Sequence, residues 1–141
     1  MDRVGKLRVV YWLALANVVV LCVWGLVFDV PGYLRSFGLT GSEATRILPA
    51  VDGLLACCFL LAAAPIGYLI HRPLGWGKLL MPVYGFAWIM HGVVITLLGA
   101  VARFPLHVTA VWVPIACGVA MFALAIAHQV IDPSFSRARP A

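Results

Sequence analysis

Two long apolar runs, separated by a short segment, constrain the fold of this chain more than any other feature. They extend over residues 47–70 and 79–102, and two further runs of similar length cover residues 9–28 and 107–131. A helix needs about 20 apolar residues to cross the hydrocarbon core of a bilayer, which is about 30 Å thick. The sequence therefore predicts four membrane-spanning helices.

The amino-acid composition indicates a membrane protein with one domain. Of the 141 residues, 64% are hydrophobic and 11% are charged, whereas about a quarter of the residues in a soluble domain are charged. The segments between the runs are too short for a separate soluble domain, so we expect residues 1–141 to form one all-α, up-down-up-down four-helix bundle. Membrane lipid is the expected partner, together with either a second copy of the chain or a larger membrane complex.

The distribution of the basic residues predicts how the bundle is oriented. The formal net charge is +5, but no basic face with interleaved aromatic residues is present, which argues against nucleic-acid binding. Seven basic residues would lie on one side of the membrane, namely Arg3, Lys6, Arg8, Arg72, Lys78, Arg137 and Arg139. The other side would hold Arg35, Arg46 and Arg103. The positive-inside rule then places both termini in the cytoplasm, and we expect a multi-pass protein of the bacterial plasma membrane.

The segment between the first two runs has a mixed composition. The first run ends near Pro31, and residues 33–46 combine apolar with charged side chains, as in a short helix that lies in the membrane interface. Thr40 and Glu43 have the spacing of a capping box, which predicts that the second helix begins near Gly41.

Small residues recur along the last two runs at helical spacings. Gly85, Gly92 and Gly99 follow one another at seven-residue steps, and Thr96 lies on the same stripe. We expect this stripe to pack against another helix, because small residues let helix backbones approach closely in lipid. The fourth run carries a comparable series, Ala116, Ala120, Ala123 and Ala127.

The cysteines and histidines predict neither a metal site nor a cofactor. All four cysteines lie inside apolar runs, where we expect them to pack, and no CxxC pair is present. A haem held by two histidines is disfavoured because His91, His107 and His128 would lie at different depths. We interpret His71, His107 and His128 as interfacial, and we expect the polar tail from Asp132 onwards to fray.

Two ionisable residues inside the predicted hairpin are the candidates for function. Asp52 lies in the second run and His91 in the third, and antiparallel neighbours would bring both into the outer half of the membrane. We expect them to meet, directly or through a water molecule, either as a catalytic acid–base pair or as a polar plug that fixes helix register. The predicted ligand-binding set is Asn17, Asp29, Asp52, Trp88, His91 and Thr96.

The chain resembles two families of small membrane proteins. The helix end near Pro31, followed by Phe37-Gly38-Leu39, Arg46 and Gly53, resembles DoxX-like four-helix proteins. A second resemblance, to EXPERA proteins such as sterol isomerases and sigma-2-like sterol-binding proteins, lies in Phe28-Asp29, Asp52, Pro65 before Tyr68, and Pro82 with His91. That resemblance implies a sterol-like ligand in an intramembrane cavity, although this chain has no second acid in its third run.

Two classes of function remain open at this point. The first is a non-enzymatic bundle that binds a lipid, a sterol or isoprenoid, or a quinone-like ligand, or that serves as a subunit of a larger complex. The second is a membrane-embedded isomerase that uses Asp52 and His91 on a sterol- or isoprenoid-like substrate. The first is favoured because one acid and one histidine make a sparse active site. A transporter is a weaker third candidate, since four spans without an internal repeat would have to oligomerise.

Overall fold

The computed structural model describes residues 2–29, 38, 41–72, 76–102 and 108–133, and four long helices account for nearly all of them. They are α1 (Arg3–Trp24), α2 (Ser42–His71), α3 (Gly77–Ala102) and α4 (Val108–Ile131), and a π-helical turn, Gly25–Asp29, extends α1. Each helix is long and apolar enough to span a membrane, over Arg3–Val27, Arg46–His71, Gly77–Val101 and Val108–Ile131. The prediction of an all-α protein with four spanning helices is confirmed.

The first two helices begin earlier than their apolar runs. In α1 the Asp2 side chain caps the helix by accepting a hydrogen bond from the Gly5 amide at 2.9 Å. The long stems of basic residues in the first turns can lie along apolar surface while their charges reach water. The cap of α2 is Gly41, at a φ of 68° and without a side-chain hydrogen bond. The predicted start of the second helix near Gly41 is therefore confirmed, whereas Thr40 of the predicted capping box lies outside the described residues.

The segment predicted to form an interfacial helix, residues 33–46, divides at this cap. Its last five residues belong to α2, because that helix begins at Ser42. The part before Gly41 lies outside the described residues, apart from Gly38.

The closest helix pair is α3 with α4, and glycines make the approach possible. A Cβ atom on Gly118 would lie 2.7 Å from the carbonyl oxygen of Gly85, and one on Gly92 would lie 2.9 Å from the carbonyl oxygen of Val111. Because Gly85 faces Gly118 and Gly92 faces Val111, the two helices are antiparallel. The prediction that the glycines of the third run pack against another helix is confirmed at Gly85 and Gly92.

Most of the alanines predicted to pack in α4 lie on its outer surface. Ala116, Ala120 and Ala123 are exposed, whereas Ala127 is half-buried and packs against the core. The buried face of α4 consists of Ala110, Pro114, Cys117, Gly118, Met121, Ala125 and His128. Thr96 is likewise exposed, and its hydroxyl donates to the Gly92 carbonyl of its own helix at 2.8 Å.

Helix α1 occupies the centre of the arrangement, between α2 and α4. Its buried residues recur every three or four positions, at Leu7, Val10, Tyr11, Ala14, Val18 and Leu21, which is the spacing of one helix face. All of them except Leu21 belong to one apolar core, together with residues of the other three helices, namely Ile66, Leu69, Ile70, Met81, Met121 and Ala125. This core lies in the half of the bundle that contains Arg3, His71, Gly77 and Ile131, which we call the terminal end.

Candidate functional sites

The Asp52 side chain lies on α2 in the half of the bundle away from the terminal end. The residue is half-buried, and its Oδ1 atom is buried without a hydrogen-bond partner in the described part of the chain. Between Ser42 and Pro65, none of the α2 residues whose burial is described is buried. The carboxyl group is therefore placed where α2 is held only loosely by its neighbours.

His91 lies on α3 and is exposed, next to Gly92, which packs against α4. Among the described residues no hydrogen bond joins His91 to Asp52. The two helices also have little close backbone contact, and the Tyr84 side chain crosses between them to donate to the Ala62 carbonyl at 2.7 Å. The direct hydrogen bond expected between Asp52 and His91 is absent, and their role in binding or catalysis stays a prediction.

The other predicted ligand-binding residues are spread over several environments. The Asn17 amide donates to the Cys117 carbonyl at 2.8 Å and so links α1 to α4. Trp88 stacks on Tyr84 with ring centroids 5.7 Å apart and packs against the edge of the core. Thr96 binds its own helix, as described above. Asp29 ends the π-helical turn, and its side chain lies outside the described part of the structure.

A buried polar contact at the terminal end was not predicted from the sequence. The hydroxyl of Tyr11 lies 2.7 Å from Nε2 of His128, and both side chains are fully buried. Gly77 makes room for this contact, since a Cβ there would lie 2.6 Å from Cε1 of Tyr11. The second ring nitrogen of His128, Nδ1, is buried without a hydrogen-bond partner in the described residues.

Charged residues lie close to this pair. Arg3, at the start of α1, forms an ion pair with Asp132, which follows α4. Asp132 is buried, and so is Lys78 at the start of α3. We call Arg3, Tyr11, Lys78, His128 and Asp132 the terminal polar cluster. Its members come from α1, the start of α3 and the end of α4, so it ties three helices together.

Two predictions about this region can be compared with the structure in part. His128 is fully buried within the bundle, where Tyr11 supplies the partner that lets an imidazole leave water; it lies in the last turn of α4, and its position at the membrane interface stays a prediction. Asp132 is held by Arg3 and by a 2.8 Å hydrogen bond from its amide to the His128 carbonyl, so the polar tail does not begin to fray there. Residues 134–141 lie outside the described part.

A signal for the buried histidine was present in the sequence. His128 follows Met121 by seven positions and Ala125 by three, which is the spacing of the buried face of α4. On α1, Tyr11 likewise follows Leu7 by four positions and precedes Ala14 by three, so it shares their buried face.

The ligating residue types do not gather into a metal site within the described residues, where no group of three His, Cys, Asp or Glu side chains comes together. The four cysteines are free. Cys117 is buried as expected for a packing residue, whereas Cys57 and Cys58 are exposed on the surface of α2.

The four apolar helices define a small multi-pass integral membrane protein. Comparisons of the chain with protein-family models, with curated proteins and with solved structures find no match. The resemblances to DoxX-like and EXPERA proteins therefore stay predictions that rest on the residues quoted for them.

Proposed function

We propose that the protein is a non-enzymatic membrane protein that binds an apolar ligand with one polar group, of the lipid, sterol, isoprenoid or quinone kind. The ligand lies between the halves of α2 and α3 that are away from the terminal end, with its polar group on Asp52. The observation that carries this proposal is the Oδ1 atom of Asp52, which is buried and has no hydrogen-bond partner among the described residues.

A buried polar atom without a partner costs free energy, and the cost is larger in lipid because no bulk water is at hand. A carboxyl group in such a place needs hydrogen-bond partners for its oxygen atoms. A hydroxyl group on an otherwise apolar molecule can donate to a carboxyl oxygen, and a carbonyl or a phosphate ester can accept from the protonated form of a carboxyl group. Ionisable residues inside membrane spans commonly serve such functional roles.

The limited contact between α2 and α3 suits an apolar body that lies between them. The Tyr84–Trp88 stack lies nearer the core, since the Tyr84 hydroxyl reaches Ala62, about 15 Å along α2 from Asp52 at the usual helical rise. Its flat rings offer a surface for the far end of an isoprenoid chain or ring system whose polar group is at Asp52.

The orientation of the bundle is part of the proposal. The antiparallel contacts of α3 with α4, and of α1 with α4 through the Tyr11–His128 and Asn17–Cys117 pairs, support an up-down-up-down order. The terminal end carries Arg3, Lys6, Arg8, Arg72 and Lys78, which favours its placement in the cytoplasm. Asp52 then lies in the outer leaflet, about 9 Å from Arg46 at about 1.5 Å per residue.

An isomerase that uses Asp52 and His91 is the less favoured function. General acid–base catalysis needs both groups within reach of one substrate. His91 is exposed and makes no hydrogen bond to Asp52, so the geometry favours a binding role for Asp52 alone.

A comparison of three small ligands tests the proposal. Farnesol carries a hydroxyl, decylubiquinone carries carbonyl groups, and squalene carries no polar group. A ligand that binds the folded state raises the melting temperature of the purified protein in detergent, and at a given ligand concentration tighter binding gives a larger rise. We expect farnesol or decylubiquinone to raise it for the unsubstituted protein, and squalene to have no effect.

Two variants identify the site. Asp52→Leu keeps the approximate size of the side chain and removes both polar atoms, so it should abolish the ligand-dependent shift while the helical circular dichroism is retained. Leu61→Ala, at an exposed position of the same helix, should keep the shift. If the Asp52→Leu variant responds like the unsubstituted protein, or squalene is as effective as the other two ligands, the proposal is wrong.

A further inference from the structure

The space between α2 and α3 is closed towards the terminal end. Tyr84 on α3 donates to the carbonyl oxygen of Ala62 on α2 at 2.7 Å, so its side chain bridges the two helices at this level. Nearer the terminal end, Ile66, Leu69 and Met81 are at most 1% exposed and belong to the apolar core. A close-packed interior of this kind has no room for a ligand. A molecule that lies between α2 and α3 therefore ends at the Tyr84–Ala62 contact.

The polar anchor of such a molecule lies at a defined distance from this closed end. The Oδ1 atom of Asp52 is buried without a hydrogen-bond partner among the described residues. Asp52 precedes Ala62 by ten residues on the same helix, which is about 15 Å at about 1.5 Å per residue. Between Ser42 and Pro65, none of the α2 residues whose burial is described is buried, so this stretch is open to contact with a ligand.

The distance from Asp52 to the closed end corresponds to a particular length of hydrocarbon chain. An extended chain advances about 1.2 Å per bond, since a residue with three backbone bonds spans at most about 3.6 Å. A length of about 15 Å is therefore about twelve bonds, or about three isoprene units. The far end of the ligand lies between helices that one tyrosine side chain bridges, which suits a thin chain better than a fused ring system.

We propose that the space between Asp52 and the Tyr84–Ala62 contact selects its ligand by length and takes a linear alcohol of about three isoprene units. The hydroxyl group donates to Asp52, and the chain follows α2 until its last carbons meet the stacked rings of Tyr84 and Trp88. These two rings determine specificity because they end the path of the chain. Selection by length rests on the proposed function, since it requires a ligand that is held at Asp52.

A series of three alcohols tests this selection. Geraniol, farnesol and geranylgeraniol carry the same hydroxyl group on two, three and four isoprene units. The melting temperature of the full chain in detergent is measured with each alcohol at the same concentration. Every carbon that is buried adds to the affinity, so the shift should increase from geraniol to farnesol. It should not increase further with geranylgeraniol, because the additional carbons cannot pass the Tyr84–Ala62 contact.

Two neighbouring cysteines offer a matched pair of variants. Cys58 precedes Ala62 by four residues, so it lies on the same side of α2, one turn closer to Asp52. Cys58→Trp should shorten the space and make geraniol more effective than farnesol. Cys57→Trp is the control, because adjacent residues of a helix face different directions, and farnesol should stay the more effective alcohol. Both cysteines are exposed, so neither substitution enters the packed core. The alcohols enter detergent equally in all samples, so a changed order of the alcohols between variants reports the site.

The outcomes separate selection by length from the proposed function. A shift that increases further with geranylgeraniol, or a Cys58→Trp variant that still responds best to farnesol, would overturn the selection. The proposed function would then stand if Asp52→Leu abolishes the response to farnesol. If none of the three alcohols raises the melting temperature, the assignment of an alcohol is wrong, and a lack of response to decylubiquinone as well would overturn the proposed function with it.

Discussion

At Tyr11 one hydroxyl group joins two helices in a place that water does not reach. Its contact with His128 links side chains 117 residues apart in the sequence, and both are fully buried. A buried imidazole without its partner would pay the full cost of desolvation. The contact therefore stabilises the packing of α1 on α4 mainly because its loss would leave the buried Nε2 atom of His128 without a hydrogen-bond partner.

The variant Tyr11→Phe tests how much the hydrogen bond to His128 contributes to stability. The substitution keeps the ring and removes the hydroxyl, so that Nε2 of His128 is left unpaired as Nδ1 already is. We expect the free energy of unfolding to fall by about 1–3 kcal/mol, measured by denaturation in mixed detergent micelles.

Tyr68→Phe is the matched control. Tyr68 is 49% exposed on α2, and a substitution at such a surface position is expected to change stability by less than about 0.5 kcal/mol. If the two variants are equally stable, the Tyr11–His128 contact contributes nothing to the fold.

At the scale of helices, the packing of α3 on α4 depends on glycine. A Cβ on Gly118 would meet the backbone oxygen of Gly85, which cannot move aside as a flexible side chain can. The helices would have to separate, and the surrounding side chains would lose contacts along the interface.

We therefore expect Gly118→Ala to destabilise the protein by about 1–3 kcal/mol, although alanine is the better helix former by about 1 kcal/mol. Gly67→Ala on α2 is the control, because a Cβ there would meet no atom within 4 Å. That variant should be as stable as the unsubstituted protein or slightly more so. Equal thermal stability of both variants would show that α3 and α4 are not held at this distance.

The hydropathy of the sequence predicted the number and the limits of the helices, but it did not predict which face of α4 is buried. The number and approximate limits of the spans follow from the length of each apolar run. The inward face of α4 does not, because small apolar residues occur all around that helix and lipid is as apolar as the protein core. The sequence therefore does not distinguish Gly118, which is buried, from Ala116 and Ala120, which are exposed.

Of the two polar sites, Asp52 could be predicted from the sequence and the terminal polar cluster could not. Asp52 stands out in any apolar run, and the structure places it as a half-buried group with an unpartnered oxygen atom. The terminal polar cluster was not found, because its burial depends on partners from distant parts of the chain. Arg3 pairs with Asp132 across 129 residues, a relation that no local pattern records.

At the scale of the whole molecule, the basic residues are divided unequally between the two ends of the bundle. Among the described residues, the terminal end holds Arg3, Lys6, Arg8, Arg72 and Lys78, and the opposite end holds Arg46. Basic residues next to spanning helices are retained in the cytoplasm during insertion. The asymmetry therefore predicts that the terminal end faces the cytoplasm and that Asp52 lies in the outer leaflet.

Cysteine labelling in intact cells tests this orientation. The four native cysteines are first replaced by alanine, because Cys57 and Cys58 are exposed and would react. Single cysteines are then introduced as Ser42→Cys, at the start of α2, and His71→Cys, at its end; both positions are exposed. A membrane-impermeant maleimide should label position 42 in intact cells and position 71 only after lysis, because about 30 Å of hydrocarbon separates the two helix ends. The reverse pattern would place the terminal end outside, and labelling of both positions in intact cells would mean that the basic residues do not fix one orientation.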